Sequence, residues 1–482
     1  YSAHHRLAHG RPGDGHETIT IKVTQMKQTI VIGAGITGLT TALHLRRAGL
    51  PVLVLEEAER AGGQIRTLQE EGYTFETGPN TGSISFPEVA ELFALLPSGY
   101  EAATPAGNCR FIYKKGRLHQ LPSGPWSGLT TPLFTLSDKF RLLGEPWRKK
   151  GNDPYESVGS LARRRLGKSF LQYAVDPFVG GIYAGDPMKL ETRHALPKLY
   201  NLEQEYGSFI RGAMAKAKEP KSDRDRLATK EVYSARQGLE TMIHEMVELI
   251  GTDNIRTGAS VTSVRQGSTG DWLVTYQQGG ELHEVPAERV VSTVGAHTLA
   301  SFLGETLPDE LLSPISSLYY APIVEVAVGF DRKVSDYRGF GALMPSSEPV
   351  DILGVLFPSD CFAERTPTAE GVLYSIFMGG ARRPDLIDME EKELQALALK
   401  DLYKVLDIDP RIVPNMVHIS RHRHAIPQYG ADSERRCAAI AEVEHRYPGL
   451  IIAGNCRDGI GMAHRITQGT QIAQQLITDS DQ

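Results

Sequence analysis

The run Gly33-Ala34-Gly35-Ile36-Thr37-Gly38 is the first stretch of this chain equipped for chemistry. Glycines at its first, third and sixth places let a strand turn sharply into a helix. They also let backbone approach a pyrophosphate and let the helix pack on the strand. The helix N-terminus brings unpaired N–H groups and a positive dipole end to the same spot. Glu56 stands 23 residues after Gly33. An acid ~20 residues beyond such a turn accepts from both ribose hydroxyls, and it argues against NADP because it would repel a 2′-phosphate. Next comes Glu59-Arg60-Ala61-Gly62-Gly63-Gln64-Ile65-Arg66-Thr67. Paired glycines beside Arg60 offer backbone donors and a cation, a set suited to the extended diphosphate of FAD.

The elements that must hold these residues follow from the apolar pattern. A β-rich run, Thr29–Ile32, enters the turn, and Leu39, Ala42, Leu43 and Ala48 repeat at helical spacing until Gly49. Pro51 opens the second strand, Val52–Leu55. Ser85-Phe86-Pro87-Glu88 reads as a capping box before a short helix. Strands are expected at 259–265, 272–276, 289–294 and 323–330, and a helix at 390–406. The last segment reads as a strand at 450–453, a glycine-rich turn and a helix. Residues 97–236 read as helices and loops, with 216–230 an exposed polar loop.

Composition narrows the class. The chain has 482 residues, a net charge of −6, 41% hydrophobic and 23% charged residues, which fits a globular protein of about three domains. A mildly acidic chain makes nucleic acid a poor partner. Four scattered cysteines form neither a disulfide framework nor a metal knuckle, and they fit a reducing compartment. No apolar run reaches the ~18 residues of a membrane span. Residues 1–27 read as a disordered leader. The dense cations Arg163-Arg164-Arg165 and Lys168 read first as a solvated helix face, with propionate or anionic-lipid attraction as the alternative.

Beyond the glycine turns, Glu76-Thr77-Gly78-Pro79-Asn80, the block from Asp176 to Pro187 and the block from Pro197 to Gly207 resemble the oxygen-dependent protoporphyrinogen/coproporphyrinogen oxidase family. So does the C-terminal Gly454-Asn455-Cys456-Arg457-Asp458-Gly459-Ile460-Gly461. The resemblance spans about residues 28 to 477. It implies an α/β fold: a Rossmann-like FAD domain, a mixed-sheet substrate domain and a mostly helical insertion. The FAD domain is expected from 28–96, 236–300 and 416–482, the insertion from 97–235, and the substrate sheet from 301–415.

The implied activity is the six-electron oxidation of protoporphyrinogen IX to protoporphyrin IX in haem synthesis. Non-covalent FAD would carry the electrons to O2, giving hydrogen peroxide. Coproporphyrinogen III is the alternative substrate. A flavin amine oxidase, a carotenoid desaturase or a non-catalytic flavoprotein stay open because they share the fold. The flavin carries the chemistry, so no catalytic dyad and no metal are nominated. Expected FAD contacts are Gly33, Gly35, Ile36, Thr37, Gly38, Glu56, Glu57, Arg60, Gly62, Gly63, Gln64, Gly78, Pro79, Asn80, Val261, Val294, Gly454, Asn455, Gly459, Ile460 and Gly461. Cys456 is expected to be a packed thiol. Expected substrate contacts are Arg110 for a propionate, Gly180 and Gly181 where a side chain would block the macrocycle, and Leu343 and Phe357 against its faces. Ferrochelatase is a candidate partner. The expected location is the cytoplasm, with peripheral contact on the inner membrane face through apolar residues such as Trp126, Leu133 and Phe134.

Overall fold

Thr29–Ile32 and Val52–Leu55 are buried at every residue, as strands covered on both faces must be. In a computed structural model of the chain, which describes residues 28–267 and 270–480, they sit inside a five-stranded parallel sheet. The expected leader over 1–27 lies outside the described residues. The strand order is Ile255–Arg256, Val52–Leu55, Thr29–Ile32, Arg289–Ser292, Leu450–Ile452. Segments from both ends of the chain are therefore neighbours.

Helix Ile36–Arg47 lies on this sheet beside the C-terminal helix Met462–Ser480. The contact is close. A Cβ at Gly469 would stand 2.6 Å from the Thr37 carbonyl oxygen, and the Thr41 hydroxyl donates to the Gly469 carbonyl at 3.2 Å. Helix Glu240–Ile250 packs on the same side through Met242, Ile243 and Met246, and a three-stranded antiparallel sheet over residues 259–287 covers the opposite face.

The second sheet has seven strands: Met416–Pro427, Tyr320–Phe330, Val372–Gly379, Ile352–Leu356, Gly341–Leu343, Arg110–Lys114 and Arg117–Gln120. All its pairings are antiparallel except Gly341–Leu343 with Arg110–Lys114. Residues opposite one another share a face. One row on the inward face runs Ser420, Glu325, Phe377, Gly354, Leu343, Ile112. The next runs His418, Ala327, Ser375, Leu356, Gly341, Arg110. The outward face, with Tyr113, Ala342, Val355 and Ile376, packs on helix Glu391–Leu406.

Three features differ from the sequence reading. The division at 97–235 and 416 cuts through this sheet, because strands at 110–120 and 416–427 both belong to it. Pairing between strands more than 200 residues apart leaves no local trace. Tyr320–Phe330 begins before the expected 323 and is buried on every residue, because it is an inner strand covered on both faces. The capping box at Ser85 does not form: Phe86 precedes helix Pro87–Phe93 without a side-chain cap, and the Ser85 hydroxyl donates to that of Ser83.

Candidate functional site

The ends of the parallel strands bring the glycine segments together. Gly33 takes φ +100°, which an L side chain rarely adopts, and its N–H donates to Leu55 O at 2.8 Å. A Cβ at Gly38 would lie 2.0 Å from the Gly33 carbonyl oxygen, so helix and strand touch. Val294, just past its strand, fits between Gly33 and Gly454: Cβ atoms there would come within 3.0 Å of its Cγ1 and 3.3 Å of its carbonyl oxygen. The second turn leans on the first. Gly62 N–H donates to Ala34 O at 2.8 Å, and a Cβ at Gly63 would sit 3.2 Å from Gly35 Cα. The Gly78 segment closes on the second turn, where a Cβ would meet Gln64 O at 2.1 Å.

Whether a dinucleotide fits is decided at Gly35. A Cβ added there meets nothing within 4 Å, and no side chain caps the helix it begins. The turn thus keeps an open cradle with helix N–H groups facing it, as a pyrophosphate requires. Glu56 ends its strand as expected. Its carboxylate accepts from Ala34 N–H at 2.7 Å and Ala58 N–H at 3.0 Å, so it reaches the first turn. Glu57 accepts from Ser260 Oγ at 3.4 Å, one residue before Val261. Arg60 lines the cavity beside the second turn and also braces that turn. Its guanidinium donates to the carbonyls of Ala61, Gly63 and Ile65, which shapes the turn from inside. The cavity, of about 430 Å3, is lined also by Gly63, Gln64, Arg66, Thr77 and residues 418–422.

The C-terminal motif runs as a turn, and its helix begins at Met462. Gly454 N–H donates to Gln468 Oε1 at 2.9 Å. The Asn455 side-chain oxygen accepts from Tyr320 OH at 3.0 Å, and its carbonyl from Tyr429 OH at 2.7 Å. Gly459 lies under the His464 ring, 2.7 Å from where a Cβ would stand, while Gly461 meets the same ring at only 3.5 Å. Ile460 packs against the buried cluster that holds Val179 and Tyr183 of helix Asp176–Tyr183, which joins this motif to the other expected site. Cys456 is buried, its thiol pushed up to about 11 by burial, and its Sγ donates to Ala453 O.

Helix Asp176–Tyr183 follows one wide π turn and is tied to the seven-stranded sheet through Asp176, which accepts from Arg382 at 2.6 Å and Ser346 N–H at 2.7 Å. A Cβ at Gly181 would be 2.3 Å from Leu343 Cδ2, whereas Gly180 faces open space. Arg110 is exposed on the same sheet face as Leu343. It lies over the Phe340 ring at 4.9 Å and has no carboxylate partner among the described residues. Phe357 packs in the outward core and also lines the small cavity beside Asn80. It is buried against Tyr374, because strand alternation turns it away from Leu343. Leu356, its neighbour, is the residue on the inward face, and with Asn80, Thr81 and Phe340 it lines the same cavity, of about 10 Å3. The sequence reading named Phe357 and not its neighbour Leu356.

It also missed two buried acids. Glu76 accepts from Leu239 N–H at 2.9 Å and Thr67 Oγ1 at 2.8 Å, and burial lifts its carboxyl to about 7. Glu325 is buried in its strand, and burial raises it well above the carboxylate range. The signal for Glu325 was present: an acid inside an uninterrupted apolar run. The arginine cluster proves structural. Arg165 is fully buried between Glu145 and Glu203 at 2.6 Å from each, and Arg164 pairs with Glu156 and Glu203.

A parallel sheet with converging glycine turns and an open helix N-terminus, facing a second sheet across a glycine-bearing helix, defines a flavin-dependent oxidoreductase. The model of the flavin containing amine oxidoreductase family matches residues 36–477, and the chain belongs to that family. Its cofactor is a flavin. The chain is 29% identical to the mitochondrial protoporphyrinogen oxidase of Nicotiana tabacum, covering 95% of this chain and 96% of that one. It is 26% identical to the coproporphyrinogen III oxidase of Bacillus subtilis (strain 168), over 94% and 98%. A crystal structure from Exiguobacterium sp. 255-15 shares the fold with a TM-score of 0.78 at 23% identity, over 95% and 100%. No helix among the described residues is long and apolar enough to cross a membrane.

Proposed function

We propose that this protein oxidises protoporphyrinogen IX to protoporphyrin IX with O2 as acceptor, in haem synthesis. Bound FAD supplies the redox chemistry, three two-electron oxidations that each yield one hydrogen peroxide. The residues expected to hold it are the three glycine turns with Glu56, Asn80, Val294 and the 454–461 segment. The rest of the work falls to side chains on the inward face. Arg110 takes a propionate through its planar fork. Leu343 packs one face of the macrocycle, and Gly180 leaves the space a flat ring system needs.

The observation that carries this reading is Arg110, unpaired with any carboxylate among the described residues and on the same sheet face as Leu343. It also favours the substrate with two propionates over coproporphyrinogen III, which has four. Lys114, the next cation along the strand, already donates to the carbonyls of Pro132 and Leu133. The test is spectroscopic. Protoporphyrinogen IX added without air should bleach the yellow protein, and O2 should restore the colour with porphyrin fluorescence. Faster turnover of coproporphyrinogen III would reassign the substrate, and a flavin unresponsive to both would remove the activity.

Peripheral membrane contact has its own support. Trp126, Phe140 and Trp147 are 78%, 72% and 77% exposed, beside Leu136 and Leu143, although the expected Leu133 and Phe134 are buried. Exposed aromatics next to Lys149 and Lys150 suit an anionic lipid surface. Sedimentation with anionic vesicles at low salt tests this, and protein left in the supernatant refutes it. Ferrochelatase, a consumer of porphyrin, is the partner to test in the same vesicles.

A further inference from the structure

Strand Tyr320–Phe330 is buried throughout, and Glu325 is its one acid. A carboxyl in such a place is stabilised by a cation or by hydrogen bonds. No cation pairs with Glu325 among the described residues. Its hydrogen-bond partner is Asn80, whose Nδ2 donates to Glu325 Oε1 at 2.6 Å. The same nitrogen donates to Gly78 O at 3.0 Å. Both amide hydrogens of Asn80 are therefore used, and its Oδ1 is left as a buried acceptor with no partner among the described residues. A buried acceptor without a donor is destabilising unless something else supplies one.

The place of this pair narrows what that donor is. Glu325 lies on the inward sheet row with Phe377, Gly354 and Leu343. Asn80 follows Gly78, which is pressed against the second glycine turn at Gln64, and it lines the small cavity with Leu356. The amide thus stands between the expected FAD cradle and the expected substrate face. Gly78 O and Glu325 Oε1 both accept, so they hold the carboxamide in one flip state, with its oxygen turned away from them.

We propose that Glu325 is a positioning residue: it locks the Asn80 carboxamide so that Oδ1 is presented as an acceptor to an N–H of the group bound at this junction. The N–H comes from the flavin ring or from a pyrrole of the substrate. The proposal deepens the flavin-oxidase reading and rests on it. It requires only an acceptor at position 325, not a negative charge.

The test uses the full-length flavin-loaded protein and three variants. Glu325→Gln keeps an acceptor facing Asn80 Nδ2, Glu325→Leu removes it at similar volume, and Asn80→Ala removes the carboxamide. Glu325→Gln should stay within about two-fold of the parent in FAD affinity, KM and kcat. Glu325→Leu should lose about ten-fold. If the donor is the flavin, the loss falls on the dissociation constant of FAD, and the absorption maximum of the bound flavin shifts. If it is a pyrrole, FAD affinity and spectrum hold while the porphyrinogen KM rises or kcat falls. Because Glu325 acts through Asn80, the double variant Asn80→Ala with Glu325→Leu should be no worse than Asn80→Ala alone.

Three results overturn the proposal: Glu325→Leu matching the parent in every readout, Glu325→Gln falling as far as Glu325→Leu, or additive losses in the double variant. If Glu325→Leu does not fold, Glu325→Gln and Asn80→Ala still decide. Asn80→Ala with unchanged FAD affinity, spectrum and KM would refute the acceptor. A parent protein that binds no flavin fails the underlying reading instead, and is told apart by its lack of colour.

Discussion

In the proposed reading, the parallel and the seven-stranded sheet carry function in opposite ways. At the parallel sheet it resides in absent side chains: Gly33, Gly35, Gly38, Gly63 and Gly78 let backbone segments meet, and N–H groups face the cradle. At the seven-stranded sheet it resides in side chains that are present: Arg110, Leu343 and Leu356 on one face, with Glu325 beneath Asn80. The lesson is one of tolerance. Adding atoms should ruin the first region, whereas removing atoms should only retune the second.

The largest effect follows from Gly38→Val. A Cβ there stands 2.0 Å from the backbone oxygen of Gly33, and backbone cannot swing aside as a flexible side chain can. The variant should yield no folded yellow protein; normal melting and colour would break the comparison. Second is Glu203→Ala in the helical insertion. It leaves Arg165 fully buried with one partner fewer. Removing one member of such a pair costs about 3–5 kcal/mol, readable by chemical denaturation. This sharpens the contrast, since the cost is structural and flavin colour should survive in the folded fraction.

Third is a pH effect. Glu76 is held at about 7 against an ordinary 4.5, mainly by burial. The neutral acid is the form the fold prefers, so this contribution is full below pH 4.5 and is lost as pH rises through about 7. Glu76→Gln keeps an acceptor for Leu239 N–H without an ionisable group. It should match the parent at acid pH and exceed it by about 3 kcal/mol at pH 8. Melting curves of both proteins across that range check the sign. The smallest effect is Arg110→Leu. A charge-assisted hydrogen bond contributes about 1.5–3 kcal/mol, so the porphyrinogen KM should rise roughly ten-fold or more while the flavin spectrum stays unchanged.

What was legible in the sequence follows the same divide. The glycine turns were readable because strand, turn, helix and acid lie within about thirty residues and each constrains the next locally. Arg110 and Leu343 came from the resemblance. Phe357 was named without its neighbour Leu356, because the face a strand residue takes depends on register, and one residue reverses it. The arginine cluster gave no hint of its burial, since its acids, Glu145 and Glu203, are distant in sequence. Membership of strands 110–120 in the seven-stranded sheet rests on pairing with Gly341–Leu343, which no local window contains. Glu325 was visible as an acid among apolar residues, yet its partner Asn80 was not.

The parallel sheet is completed by Leu450–Ile452, and helix Ile36–Arg47 packs on Met462–Ser480 as well as on Glu240–Ile250. During synthesis the first glycine turn therefore leaves the ribosome long before the segment that braces it. A nascent chain halted before Met462 would expose the apolar flank of Leu39, Leu43 and Ala42, which is buried in the finished protein. Loading with FAD is then a late event, and prematurely terminated chains should emerge colourless and prone to clump.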